Sequence, residues 1–181
     1  KKYSDYYGVV CGKENILFTN NDSAYETAIS LFNKGIKINA IIDIREKVNS
    51  EITNHAEKIG IKIYNSYTIV DTSGYRRIKE VSIMKLSKDG QSVTGSKIKI
   101  KCNCLGISGG WTPAVHLFTQ SGGKLKFDNE DNVFIPSKYP SDQISIGSCN
   151  GEFDLNTIIK NFNQNIKNFL GIDKTSFEDL K

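Results

Sequence analysis

The sequence predicts an α/β fold, and three observations carry that reading. Two short apolar runs, Ile16–Phe18 and Ile38–Ile44, flank a stretch with helical periodicity. From Tyr67 onward apolar and polar residues alternate instead, and a long amphipathic stretch from Leu155 to Phe169 comes near the end. Strand, helix and strand within about thirty residues make one right-handed βαβ unit, the building block of nucleotide-binding folds.

Ile16-Leu17-Phe18 runs into the polar cluster Thr19-Asn20-Asn21-Asp22-Ser23, as a buried strand running into a turn does. Ala24, Ala28, Ile29, Leu31 and Phe32 then recur at helical spacing. Asp22 or Ser23 supplies the N-cap of that helix, and Lys34-Gly35 gives it a basic last turn and a C-terminal glycine. The second strand, Ile38–Ile44, ends in Asp43-Ile44-Arg45. A helix over Ser50–Lys58, with Ile52, Ala56 and Ile59 on its apolar face, leads to a third strand over Gly60–Tyr64.

Tyr67–Asp71, Ile78–Leu86 and Ser96–Ile107 read as an antiparallel meander, separated by the turn signals Ser73-Gly74 and Lys88-Asp89-Gly90. Alternate residues share a strand face, so Ile98, Ile100, Cys102 and Cys104 are expected on one side. Ser108–Pro113 mixes flexible and rigid residues and reads as a loop, followed by a short helix over Ala114–Phe118. After Ser121-Gly122-Gly123, strands are expected at Leu125–Phe127, Val133–Ile135 and Ile144–Ile146. The turn Gly147–Gly151 opens the last helix, which holds Leu155, Ile158, Ile159, Phe162, Ile166 and Phe169. The polar tail from Lys174 is expected to be mobile.

Composition narrows the function classes. With 38% hydrophobic and 24% charged residues, the 181-residue chain suits one domain or slightly more. Its 24 basic and 20 acidic residues are scattered, which argues against a nucleic-acid footprint. No apolar run approaches the ~18 residues that cross a bilayer, and the first residues lack the apolar stretch of a signal peptide, so no membrane partner and a cytoplasmic location are expected. Four irregularly spaced cysteines read as reduced thiols. The absence of an initial methionine suggests a cut or processed piece.

A dinucleotide-binding βα turn uses glycines so that backbone can approach pyrophosphate. Here Thr19–Ala24 contains none, and Asp22 would place like charge beside a phosphate, so capping is the preferred reading of this turn. Asp43 stands where such folds place the acid that binds a ribose 2′-hydroxyl; a surface carboxylate near Arg45 is the alternative and is preferred. Cys102-x-Cys104 lacks the further ligands of a zinc site and reads as two buried strand cysteines. His55 and His116 lie in different segments, the first on a helix surface, the second after the glycine loop in a capping, packing or functional role. The helix opened by Asp154 or Asn156 has free amides that could face an anion, or is an ordinary βα connection.

Three motifs resemble the alpha subunits of the heterotetrameric sarcosine oxidases: Thr19–Tyr25, Leu105-Gly106-Ile107-Ser108-Gly109-Gly110-Trp111-Thr112-Pro113-Ala114-Val115-His116-Leu117, and Gln120-Ser121-Gly122-Gly123-Lys124-Leu125. The resemblance runs from about Gly8 to about Phe169. It implies a Rossmann-like three-layer dinucleotide-binding domain with an antiparallel β-meander, plus the closing part of a second such domain. On it, residues 1–12 are a linker from an outer domain, 13–118 an inserted NAD(P)H-binding-like domain, 119–173 the closing strands and helix of the outer domain, and 174–181 a flexible tail. The outer domain's own glycine fingerprint is missing from the chain.

The resemblance further implies an enzyme that oxidatively demethylates sarcosine to glycine, giving hydrogen peroxide and a folate-linked one-carbon product. The alpha subunit holds NAD, FAD and FMN lie elsewhere in the complex, and the partners are the beta, gamma and delta subunits. This piece is expected to be inactive alone and to bind no cofactor by itself; a nucleotide-free scaffold is the alternative. Gly147, Ser148, Phe153 and Leu155 match the family's NAD-contacting closing motif. Ser148 stands where small residues are usual, while Asn103 replaces the aspartate common in these flavoproteins.

Overall fold

The structure, a computed structural model, describes residues 1–46, 48–140 and 142–171. They form two compact units, divided between Gly110 and Trp111. The polar tail from Lys174 lies outside the described residues.

In the first unit a short helix α1 (Lys2–Tyr7) precedes β1 (Glu14–Thr19), α2 (Ser23–Asn33), β2 (Lys37–Asp43), α3 (Glu51–Lys58) and β3 (Ile63–Asn65). The next strands are β4 (Tyr67–Gly74), β5 (Ile78–Leu86), β6 (Val93–Lys101) and β7 (Cys104–Ser108). The parallel sheet has the order β3-β2-β1-β7, and β4-β5-β6 form an antiparallel sheet.

The apolar runs of β1 and β2 are continuous because this sheet is covered on both faces. Leu17 and Ile41 pack with Tyr25, Ala28 and Ile29 of α2 and Ala56 of α3. Their neighbours Ile16 and Ile42 turn to the opposite face and pack with Val81 and Ile83 of β5 and with Cys102. Helices, parallel sheet and meander are the three layers. Ser50 starts α3 with a capping box, exchanging hydrogen bonds with Thr53.

Ser96–Ile107 is two strands and not one. Cys102 N still donates to Lys79 O in the meander, at 3.0 Å, whereas Asn103 N donates to Glu14 O beside β1 at 2.9 Å. Asn103 Oδ1 accepts from Glu14 N, so both hydrogen-bonding ends of Asn103 serve the crossing into the parallel sheet. Cys102 is consequently buried under the meander and Cys104 begins β7, in place of a shared strand face. Alternation continues through the crossing, which is why the pattern hid it. Helix α1 was not foreseen either: its tyrosines Tyr3, Tyr6 and Tyr7 are exposed and give no buried stripe.

The second unit holds α4 (His116–Gln120), the antiparallel pair β8 (Lys124–Asp128) and β9 (Val133–Lys138), a 3-10 turn at Gly147–Asn150, and α5 (Leu155–Leu170). Phe118 is its buried anchor, edge-on to Tyr139 at 5.0 Å between ring centroids. Gly123 lies against the same ring so closely that a Cβ there would come within 2.4 Å of it. The strand expected at Ile144–Ile146 is absent: Ile146 is extended, but the segment pairs with no strand and passes into the 3-10 turn. No residue of α5 is buried.

Candidate functional site

Parallel register brings the carboxyl ends of three strands level, with Thr19 beside Asp43 on one side and Ser108 on the other. Ligands of open α/β folds sit at this edge. Here the edge is filled by the protein's own side chains.

Thr19 Oγ1 accepts from Asn21 N at 3.0 Å and donates to Asn21 O at 2.9 Å, closing the turn on itself. Asn21 Oδ1 accepts from Ser23 N, and Asn21 Nδ2 donates to both Ser108 O and Ser108 Oγ at 3.1 Å. Asn20 Nδ2 adds a bond to Gly109 O. Side-chain amides thus take up the hydrogen-bonding groups of this turn that a glycine-rich turn would leave to a pyrophosphate.

Asp22 is the N-cap residue of α2, yet its side chain caps no amide. The capping expectation fails because Arg45 Nη2 takes the Asp22 carboxylate at 2.8 Å, leaving the Ser23 amide to Asn21. A charge-assisted bond to guanidinium is stronger than a neutral amide bond.

Asp43 is also near Arg45, as expected, but it is not at the surface: it is 0% exposed. Its position as the last residue of β2, a strand covered on both faces, buries it. Arg45 folds back to donate from its backbone N at 2.9 Å, from Nε at 3.1 Å and from Nη2 at 2.8 Å. Tyr25 OH donates to Asp43 Oδ2 at 2.8 Å. A carboxylate offers about four acceptor directions, and these contacts use them. Nothing remains for a ribose hydroxyl. Burial, then donation to Asp43, pushes the Tyr25 phenol well above its ordinary value, and the bond to Asp43, then Asp22, raises Arg45. Sequence reasoning missed Tyr25; its signal was a single polar aromatic on the otherwise apolar face of α2.

In the second unit, Gly147, Ser148, Phe153 and Leu155 fall on one continuous stretch, the 3-10 turn and the start of α5. Gly147 is buried and in the left-handed region, φ +74°. Ser148 is exposed, Phe153 is 44% exposed with its ring 6.4 Å from that of Trp111, and Leu155 is 66% exposed. Asp154 Oδ2 accepts from Thr157 N and Oγ1, both at 2.8 Å, so the protein's own carboxylate caps α5. That bond to Thr157 holds the Asp154 carboxyl below the usual range. His55 is exposed on α3, and His116 is exposed at the start of α4. Among the described residues no group of three or more histidine, cysteine or acidic side chains is placed to hold a metal, and no helix is long and apolar enough to cross a membrane.

No protein-family profile matches the chain. In sequence it is 30% identical over 156 residues, 85% of its length, to the sarcosine oxidase subunit alpha of Corynebacterium sp. strain P-1. It is 26% identical over 154 residues to the subunit alpha of Corynebacterium sp. strain U-96. The chain spans about 16% of the length of each of these curated relatives. In structure, a thioredoxin reductase from Lactococcus lactis matches with a TM-score of 0.61 at 16% identity, over 88% of this chain and 52% of the reductase. The α/β class with a parallel sheet and a meander is borne out by that likeness of fold. The chain is thus a relative of one stretch of the sarcosine oxidase alpha subunit, as its motifs indicated.

Proposed function

We propose that this chain is part of the alpha subunit of a heterotetrameric sarcosine oxidase, and that within the whole subunit it helps form the NAD-binding region without binding a dinucleotide at its own first βα turn. The observation that carries this reading is the filled strand edge: Asp43 accepts from both Tyr25 and Arg45 while Arg45 also holds Asp22. The relatives are oxidoreductase subunits, which supports an oxidoreductase role for the protein that contains this chain.

In that protein sarcosine is demethylated oxidatively to glycine with release of hydrogen peroxide and a folate-linked one-carbon product. FAD and FMN lie elsewhere in the complex with the beta, gamma and delta subunits. Residues 119–173 close a second dinucleotide-binding domain, and Gly147, Ser148, Phe153 and Leu155 are its NAD contacts. Gly147 fits such a role, since a buried left-handed glycine lets backbone approach a ligand closely. The chain alone is inactive.

Calorimetric titration of NAD into the 181-residue chain tests the reading. No binding is expected; micromolar affinity would overturn it. A nucleotide-free scaffold is the second reading, favoured by the exposed Leu155, Ile159, Phe162 and Phe169 of α5. Ser148→Trp in the whole alpha subunit separates the two, weakening NAD binding at least about tenfold under the first and leaving it unchanged under the second.

A further inference from the structure

Three of the four cysteines lie where the N-terminal segment meets the start of β7. The backbone of Gly12 lies flat against Cys104: a Cβ added at Gly12 would come within 2.4 Å of Cys104 Cβ and 2.6 Å of Asn103 Oδ1. The segment is pinned there. Asn15 Nδ2 donates to Gly12 O at 2.8 Å, and Asn103 is bonded at both ends to Glu14. One further step of ~3.8 Å along the chain reaches Cys11, putting its Cα within about 8 Å of Cys104 Cβ. With the Cα–Cβ bond of Cys104 added, the two Cα atoms lie within about 9 Å of each other, and a disulfide, which needs about 4.4–6.8 Å, forms if Cys11 turns toward Cys104 about the anchored Gly12.

We propose that Cys11 and Cys104 form a peroxide-responsive pair, an exposed thiol that is oxidised first and a neighbouring thiol that resolves it as a disulfide. The two thiols differ in exposure. Cys11 is exposed, and Cys104 is partly covered. Burial raises the Cys104 thiol above its ordinary range, and negative charge on Cys11 raises it further; the exposed Cys11 is the thiol that peroxide reaches first. Cys102 is excluded by its place in the core between the sheet and the meander.

The steps balance with hydrogen peroxide as the oxidant. The Cys11 sulfur attacks one peroxide oxygen, an S–O bond forms, the O–O bond breaks, and the leaving hydroxide takes the thiol proton as water. The Cys104 sulfur then attacks the Cys11 sulfur, forming S–S and breaking S–O, and the second hydroxide leaves as water with the Cys104 proton. Two thiols are oxidised by two electrons and one peroxide is reduced to two waters. The product ties the N-terminal segment to β7. The cross-link rests on the geometry alone; the proposed function adds a source of peroxide within the same complex.

Treatment of the full chain with hydrogen peroxide, followed by intact mass measurement and non-reducing peptide mapping, tests the pair. The expected result is loss of two hydrogen atoms with a linked Cys11–Cys104 peptide, reversed by dithiothreitol. Cys11→Ser and Cys104→Ser should each abolish the link, and Cys102→Ser should keep it. In Cys104→Ser, dimedone should trap sulfenic acid on Cys11. Over-oxidation of Cys11 with Cys104 left as free thiol, a link through another cysteine, or no oxidation at Cys11 would each overturn the proposal. Because the peroxide is added, any of these results leaves the sarcosine oxidase reading intact.

Discussion

Tyr25, Asp43, Arg45 and Asp22 form one hydrogen-bonded network, and removing any member takes a partner from another. Tyr25→Phe deletes a hydrogen bond to a buried carboxylate, a loss of about 1.5–3 kcal/mol, to be read from urea unfolding at neutral pH. Asp43→Ala goes further, stranding the Tyr25 hydroxyl in the core and leaving Arg45 only Asp22. Arg45 keeps some solvent contact, so a cost of about 2–4 kcal/mol is expected; a loss below about 0.5 kcal/mol would show that the network holds nothing. The raised Tyr25 value gives a pH signature. An acid whose folded value is raised contributes stability that is fully present below its unfolded value, about 10, and that is lost as pH rises through the folded value. Wild-type stability should therefore fall more steeply than that of Tyr25→Phe as pH rises above about 10. At this scale the sequence showed the Asp43-x-Arg45 pair and the missing glycines. It did not show that Asp43 points inward, because β2 is apolar on both faces and offers no alternation from which to read direction.

The elements that were legible are those whose periodicity belongs to one structure from end to end. α2, α3 and the two hairpins of the meander declared themselves through caps, turn residues and spacing. The crossing at Cys102-Asn103 did not, since the strand pattern carries on while its partners change from β5 to β1. Ile144–Ile146 had a strand's composition and no strand to pair with. The β4–β5 turn offers the sharpest element-scale test. Gly74 sits at φ +142°, and a Cβ there would lie 2.0 Å from Arg77 O, a backbone atom that cannot step aside without opening the hairpin. Gly74→Ala should cost at least about 2 kcal/mol, measured by thermal or urea unfolding. Gly90→Ala is the control for the other meander turn: its φ is also positive, but a Cβ there meets nothing within 4 Å, so a smaller loss of about 1 kcal/mol is expected.

Across the molecule, burial is distributed unevenly, and that sets the last expectation. The first unit has a core on each face of its parallel sheet. In the second, Phe118 is the one large side chain with almost no exposure among the described residues, and α5 presents Leu155, Ile159, Phe162 and Phe169 outward. Amphipathic spacing announced that helix in the sequence, because an apolar stripe is visible whether or not anything covers it. What covers it could not be read, since that depends on residues outside the pattern. Local stability follows buried contacts, so amide exchange should be slowest in β1 and β2 and much faster along α5, by about a hundredfold or more in the isolated chain. Hydrogen exchange with peptide-level mass spectrometry checks this directly. Protection of α5 equal to that of β1 would mean that its apolar stripe is covered in solution, for instance by self-association. In that case the protection should depend on protein concentration, whereas that of β1 and β2 should not.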